Sequence, residues 1–228
     1  MGVNARVLLV CLAVVALGAC SSSDSGGGPR PQPSGPPTPE ASAIDDHATE
    51  FADEVARRPA GSQQEQLAAT YILGHLQQAG YPARLDAVPV GDLVRSTNVI
   101  AVPPQGAEPR YVIAVPYDTP PDEALDAHAI GVFLEVARAL SVRNLDHAVE
   151  FVALGAEFSE LGDRGRGSRA LVERLKDDGV DPEILYLDPG APVKSSLEIL
   201  EDAGLDVTLV SGSPEGVAER LMELLSDG

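Results

Sequence analysis

The hydrophobic pattern of this chain begins with one apolar run near the N-terminus. Residues 7–16 are apolar throughout if Cys11 is counted with them. This run is far shorter than the roughly 20 residues that a membrane-spanning helix needs. Its length is typical of the core of a signal peptide, and the positive charge of Arg6 precedes it. We therefore expect a leader here, with the folded part of the chain further on.

Helical periodicity starts at residue 44 and predicts six helices. Ser62-Gln63-Gln64-Glu65 fits a capping box, in which the first and last residues satisfy each other's free amides. Apolar residues then recur on one face until Gly80 ends that helix. The predicted helices cover residues 44–56, 62–79, 126–140, 168–178 and 197–203, and a last one that Ser213 caps and Pro214 opens.

Short apolar runs between these helices predict the strands. Residues 111–115 form a continuous apolar run, which is typical of a strand that is buried on both faces. Strands that alternate with helices favour a mainly parallel sheet with helices on both sides. The fold class that we predict is therefore an α/β, three-layer α/β/α sandwich with a largely parallel central sheet. Its strands are expected near residues 83–90, 98–102, 111–115, 148–154, 184–187 and 207–210.

The residues that follow the apolar run indicate a lipid anchor. Leu17-Gly18-Ala19-Cys20 resembles the lipobox that the bacterial lipoprotein signal peptidase reads. We expect cleavage before Cys20 and acylation of its thiol, which places the protein outside the cytoplasm and attached to the cell membrane. An ordinary secretory signal with an incidental cysteine is the alternative.

Composition then divides the chain into three parts. Residues 21–39 are rich in Ser, Gly and Pro and are expected to form a disordered, extended spacer. We therefore predict a leader over residues 1–19, a lipidated Cys20 with a linker over residues 20–43, and one domain over residues 44–228. That domain has no cysteine, so its fold must rely on its hydrophobic core.

Net charge limits the partners of this domain. The formal net charge is −19 and the sequence pI is about 4.4. Such acidity argues against binding to nucleic acid and against direct docking on anionic lipid headgroups. The membrane contact that we expect is the lipid on Cys20 alone.

Three acidic residues follow predicted strands. Asp118, Glu157 and Asp188 come after the strands near 111–115, 148–154 and 184–187, and Asp126 begins a predicted helix. Open α/β sheets place their sites at the carboxyl ends of the strands. Carboxylates that converge there suggest a metal site or a general base. The alternative is that strand ends simply expose polar residues.

Six short segments, in order, resemble the di-zinc aminopeptidases and carboxypeptidases related to glutamate carboxypeptidase II. The similarity extends from about residue 51 to residue 210 and implies the zinc-peptidase-like fold. The segments are Arg58-Pro59-Ala60-Gly61-Ser62, Asn98-Val99-Ile100-Ala101, residues 124–132, residues 151–157, Leu187-Asp188 and residues 195–205.

This chain departs from that family at the metal ligands. The family binds two zinc ions through two histidines and three carboxylates, and a further glutamate acts as general base. Of the five ligand positions, only Asp188 keeps its residue type, while Glu157 keeps the position of the general base. Asp118 keeps the position of an acid that supports the ligands without binding metal. The other four ligand positions fall on Pro116, Ala127, Phe158 and Leu197.

The resemblance therefore implies a site that does not hold zinc, because catalytic zinc normally takes three protein ligands and a water. Our main hypothesis is a catalytically inactive, envelope-anchored domain that needs no cofactor and binds a protein or peptide of the cell envelope. A purely structural lipoprotein is another interpretation.

An active metallo-aminopeptidase remains the alternative to an inactive domain. It would need zinc in a displaced site built from Asp118, Asp126, His128, Glu157 and Asp188. We expect instead that Asp126 is an N-cap and that His128 faces solvent in the first helical turn. The other histidines, His47, His75 and His147, lie outside the motif positions. His75 and His147 are expected to be surface or packing residues.

Overall fold

The computed structural model describes residues 37–103, 107–160 and 163–226. The predicted leader, Cys20 and most of the linker lie outside these ranges and stay predictions. In the described part of the chain, no helix is both long enough and apolar enough to cross a membrane.

The described residues form six helices and six strands, which alternate from β3 onward, as the hydrophobic pattern predicts. The first helix begins at Ala41, three residues before the predicted start of the domain. The elements are α1 Ala41–Val55, α2 Gln63–Gln78, β1 Ala83–Pro89, β2 Arg95–Ala101, β3 Pro109–Pro116, α3 His128–Leu140, β4 Ala148–Leu154, α4 Arg166–Asp178, β5 Glu183–Leu187, α5 Lys194–Asp202, β6 Val207–Val210 and α6 Pro214–Leu224.

The strands form one sheet in the order β1-β2-β4-β3-β5-β6. The strands β4, β3, β5 and β6 run parallel to one another, whereas β2 is antiparallel to both of its neighbours, β1 and β4. The predicted largely parallel sheet is confirmed. β2 begins three residues earlier than its apolar run suggests, because the polar segment Arg95-Ser96-Thr97 pairs with β1.

Both faces of the sheet are buried under helices. In β3, Tyr111, Ile113 and Val115 pack beneath α1, α2, α3 and α6, while Val112 and Ala114 pack beneath α4 and α5. Side chains alternate between the two faces of a strand, so a strand covered on both sides must be apolar at every position. This explains the continuous apolar run and confirms the three-layer sandwich.

Two helix starts, those of α2 and α6, can be compared with the predicted caps. The Ser62 hydroxyl accepts a hydrogen bond from the Glu65 amide at 3.0 Å, which starts α2. Glu65 does not complete the capping box, because its carboxylate accepts from the Gly61 amide at 2.5 Å and from the Ser96 hydroxyl. At α6, the Ser213 hydroxyl accepts from the Gly216 amide and Pro214 opens the helix, as expected.

Candidate functional site

The carboxyl ends of β3, β4 and β5 carry the three predicted acids, but in two different environments. Asp118 and Glu157 are each at most 2% exposed, whereas Asp188 is half-buried and lies on an open cleft. The first two carboxylates bind groups of the protein itself. The third faces solvent and is the one available to a ligand.

Glu157 is held by hydrogen bonds from three elements. Its carboxylate accepts from the Ser168 amide at 2.7 Å and the Ser168 hydroxyl at 2.8 Å. It also accepts from the Ser196 hydroxyl and from the Tyr186 hydroxyl, the latter at 3.4 Å. Burial raises the pKa of Glu157, and these hydrogen bonds oppose that rise. Both oxygens are therefore occupied in joining β4 to α4, β5 and α5.

Asp118 ties together the segments that follow β3 and β4. Its two carboxylate oxygens accept from the Glu157 amide at 2.9 Å and the Phe158 amide at 3.0 Å. Burial raises its pKa well above the ordinary value, and the nearby Glu157 charge adds to that effect. Asp118 thus orders the backbone around Glu157.

A buried cation, Arg58, lies close enough to interact with Asp118. Its guanidinium donates to the backbone carbonyls of Val55, Ala56 and Tyr117. Desolvation lowers the pKa of Arg58 to about 10, although the Asp118 charge opposes this. Arg58 is therefore a structural cation that joins the end of α1 to the end of β3.

The four side chains at the positions that the resemblance assigns to metal ligands are not metal donors. Pro116 ends β3 opposite Leu154 of β4, and Ala127 is buried just before α3. Phe158 is buried, and Leu197 packs against the same apolar core under α4 and α5. None of these side chains offers a lone pair, and zinc prefers nitrogen, sulfur and carboxylate donors. With both Glu157 oxygens occupied, this donor set does not suit a catalytic zinc ion.

The open cleft beside Asp188 has a volume of about 450 Å³. The Asp188 carboxylate accepts from the Gly190 amide at 2.9 Å. Four carboxylates and one imidazole line the cleft around a floor of aliphatic side chains. The polar residues are Asp45, Asp126, His128, Asp188 and Glu215, and the aliphatic ones are Val132, Leu187, Val210 and Val217.

Asp126 and His128 pair with each other at the edge of this cleft. Ala127, not Asp126, occupies the N-cap position of α3, which corrects the expected N-cap. The Asp126 carboxylate still accepts from the His128 amide at 2.7 Å and lies 2.5 Å from the imidazole Nδ1. Partial burial alone would raise the pKa of Asp126, but the hydrogen bonds from His128 outweigh it and lower the pKa. His128 is half-exposed, as predicted, with Asp45 3.4 Å from its Nε2.

The displaced metal site does not assemble. Among the described residues, the potential metal ligands that cluster are His47, Glu50 and His75, and none of the five proposed residues belongs to that group. Asp118 and Glu157 lie in the buried network, while Asp126, His128 and Asp188 line the cleft.

The sequence analysis did not identify the residues that donate hydrogen bonds to the Glu157 carboxylate. Ser168 and Ser196 lie in the first turns of α4 and α5, and Tyr186 lies on β5. Ser168 was placed at the predicted start of a helix, and Ser196 lies inside one of the matched segments. Nothing in one sequence marks such a hydroxyl as facing a buried acid.

Comparison with known proteins identifies the fold. No protein-family model matches the sequence, and no curated protein matches it. A candidate zinc-dependent exopeptidase of Bacteroides vulgatus matches with 19% identity and a TM-score of 0.57, over 67% of this chain and 61% of that one. The chain thus spans about three fifths of that exopeptidase.

Two further solved structures match over a larger share of their own length. Porphyromonas gingivalis glutaminyl cyclase matches with 15% identity and a TM-score of 0.62, over 75% of this chain and 83% of that one. A leucine aminopeptidase precursor of Bacteroides thetaiotaomicron matches with 14% identity and a TM-score of 0.59, over 83% and 84%. Likeness at such low identity concerns the fold and not the activity. The described chain therefore has a zinc-peptidase-like α/β fold.

Proposed function

We propose that this protein is an envelope-anchored lipoprotein whose zinc-peptidase-like domain does not hydrolyse peptides and instead binds a peptide or protein. The observation that carries the proposal is the state of Glu157. Its carboxylate accepts hydrogen bonds from Ser168, Ser196 and Tyr186 and is buried.

A general base must have an oxygen within hydrogen-bond reach of the proton that it removes. Both oxygens of Glu157 already accept hydrogen bonds inside the protein, and protonation of either oxygen would disturb at least one of them. A metal-bound water also needs ligands, and Pro116, Ala127, Phe158 and Leu197 supply none. The lack of metal donors and the buried, hydrogen-bonded state of Glu157 both support a domain that does not hydrolyse peptides.

The cleft beside Asp188 supports a binding role. A concave site with an apolar floor and a few polar groups is the usual form of a ligand pocket. Carboxylates at its rim favour a cationic partner, so we propose a peptide that inserts an apolar side chain next to a positive charge. Binding should weaken as the salt concentration rises, because exposed charges are screened.

The test of inactivity is peptide turnover by the zinc- or cobalt-supplemented protein. The panel contains aminoacyl peptides, and also a peptide with N-terminal glutamine because glutaminyl cyclases share the fold. We expect no turnover. Turnover that vanishes in a Glu157→Gln variant would overturn the proposal and favour the active metallopeptidase. Equal turnover in both proteins would indicate a contaminating peptidase.

The test of binding is fluorescence polarisation with cationic and acidic peptide libraries of matched length. Cationic peptides should bind, and a double Asp126→Asn, Asp188→Asn variant should bind them severalfold more weakly. The double Glu173→Gln, Asp177→Asn variant is the matched control, because both residues are exposed on α4 and neither lines the cleft. Equal affinity for acidic peptides, or an equal loss in the control, would contradict a role for the cleft.

A further inference from the structure

A cluster of potential metal ligands lies on α1 and α2, apart from the residues at the strand ends. His47 and Glu50 are one turn apart on α1, and His75 lies in the last turn of α2. Their ligand atoms all lie within 4.8 Å of one another. Residues three apart on a helix share a face, so α1 presents both of its groups in the same direction.

Tyr71 holds this cluster in place. Its hydroxyl donates to the Glu50 carboxylate at 3.1 Å and lies 3.3 Å from the His47 Nδ1. Its ring centroid is 4.4 Å from that of His75, and the His47 and His75 rings meet edge to face with centroids 4.8 Å apart. The side chains are therefore prearranged by contacts between the two helices and are not three independent surface residues.

We propose that His47, Glu50 and His75 bind a divalent zinc-type metal ion. Two imidazoles and one carboxylate form a donor set that zinc accepts, with a water in the fourth position. Zinc bonds of about 2.0–2.1 Å in a tetrahedron place ligand atoms about 3.4 Å apart. The present separations exceed this value by about 1.4 Å at most, so binding requires rotation of the exposed Glu50 and the half-buried imidazoles.

The charges around the cluster favour a cation. Asp46 acts electrostatically on His47, and Glu54 acts on Tyr71. The nearby positive group, Arg138, is already paired with Glu135 through hydrogen bonds of 2.7 and 2.6 Å. A bound ion would link α1 to α2 and stabilise the native state by mass action. This site does not depend on whether the domain is catalytic.

Isothermal titration of the tag-free, metal-free full chain with Zn²⁺ tests the proposal. The chain carries Cys11→Ser and Cys20→Ser, so that no thiol competes for the ion. We expect one equivalent to bind. His47→Ala, His75→Ala and Glu50→Gln should each weaken binding by at least about tenfold, since even the loss of a group that only supports a ligand costs about 10- to 100-fold.

His128→Ala and Asp188→Asn are the matched controls. His128 is also half-exposed beside carboxylates, and Asp188 represents the ancestral ligand position, yet neither substitution should change the affinity. Glu50 is exposed, so Glu50→Gln keeps the test valid if a histidine variant fails to fold. The absence of stoichiometric binding, or binding that survives all three cluster variants, would overturn the proposal. Loss of binding only in the controls would also overturn it, by placing the ion in the strand-end cleft.

Discussion

At the residue scale, two adjacent serines on α5 differ in whether they contact Glu157. Ser196 is buried and donates to Glu157, whereas the adjacent Ser195 is exposed on the same turn of α5. Substituting each serine in turn therefore separates the stability due to the hydrogen bond with Glu157 from the effect of serine on helix propensity.

We expect Ser196→Ala to lower the free energy of unfolding by about 1–3 kcal/mol, the usual cost of removing a hydrogen bond to a buried charged group. Ser195→Ala should change it by no more than about 0.5 kcal/mol, as is normal on a surface. Urea denaturation of both variants measures the difference. Equal effects would mean that the contact with Glu157 contributes little stability.

The buried carboxylates also set a pH dependence. Burial raises the pKa of Glu157 above the ordinary value of a glutamate. The folded state therefore binds a proton more readily than the unfolded state, and this contribution to stability is complete below the unfolded pKa. It is lost as the pH rises through the folded pKa.

Glu157→Gln removes this titration while keeping the size of the side chain. We expect the wild type to lose stability relative to the variant as the pH rises from the ordinary glutamate pKa through the raised pKa of the folded state. Urea midpoints at each pH measure the difference between the two proteins. A difference that stays constant across this range would show that Glu157 does not titrate differently on folding.

At the element scale, two helical glycines have opposite packing environments. A Cβ on Gly131 of α3 would lie under 3.0 Å from the Ile44 carbonyl oxygen of α1, whereas a Cβ on Gly74 of α2 would have no neighbour within 4 Å. Gly131 thus permits the close approach of α1 and α3, whereas no neighbouring segment approaches Gly74 closely.

We expect Gly74→Ala to raise the free energy of unfolding by up to about 1 kcal/mol, because alanine is the better helix former. Gly131→Ala should lower it by about 1–3 kcal/mol despite the same gain, since overpacking forces α1 and α3 apart. Thermal or urea unfolding distinguishes the two. A stabilising Gly131→Ala would indicate that α1 shifts without cost.

The sequence predicted helices, strands and caps well where a single local feature, such as apolar spacing or a capping hydroxyl, determines the structure. The six helices and the strands at 148–154 and 207–210 follow from apolar spacing, and the caps at Ser62 and Ser213 follow from hydroxyl chemistry. The start of β2 was wrong because pairing with β1, not hydrophobicity, extends it through Arg95. Glu65 was misjudged in part because a tertiary partner, Ser96, competes for its carboxylate.

At the scale of the whole molecule, the fold could be predicted from the sequence more fully than the site. The resemblance assigned metal-ligand positions to residues such as Pro116 and Phe158, and that assignment stays a prediction. The network around Glu157 and the cluster of His47, Glu50 and His75 each depend on how separate elements pack. Spacing within one element cannot reveal such convergence.

The attachment of the whole molecule to the membrane rests on Cys20, and it stays a prediction because this residue lies outside the described ranges. Each buried methylene of an acyl chain contributes about 0.8 kcal/mol, and stable anchoring takes two chains or a second signal. The formal net charge of −19 disfavours direct docking on anionic lipids, so we expect the anchor to come from the diacylated cysteine.

Cys20→Ser should therefore abolish incorporation of labelled fatty acid and release or mislocalise the protein. Cys11→Ser is the matched control, because this cysteine lies within the apolar run, and it should leave labelling and membrane fractionation unchanged. Metabolic labelling followed by fractionation measures both properties. A wild-type protein that takes up no fatty acid, together with a Cys20→Ser variant that fractionates like it, would show that the cysteine is incidental and that the leader is an ordinary secretory signal.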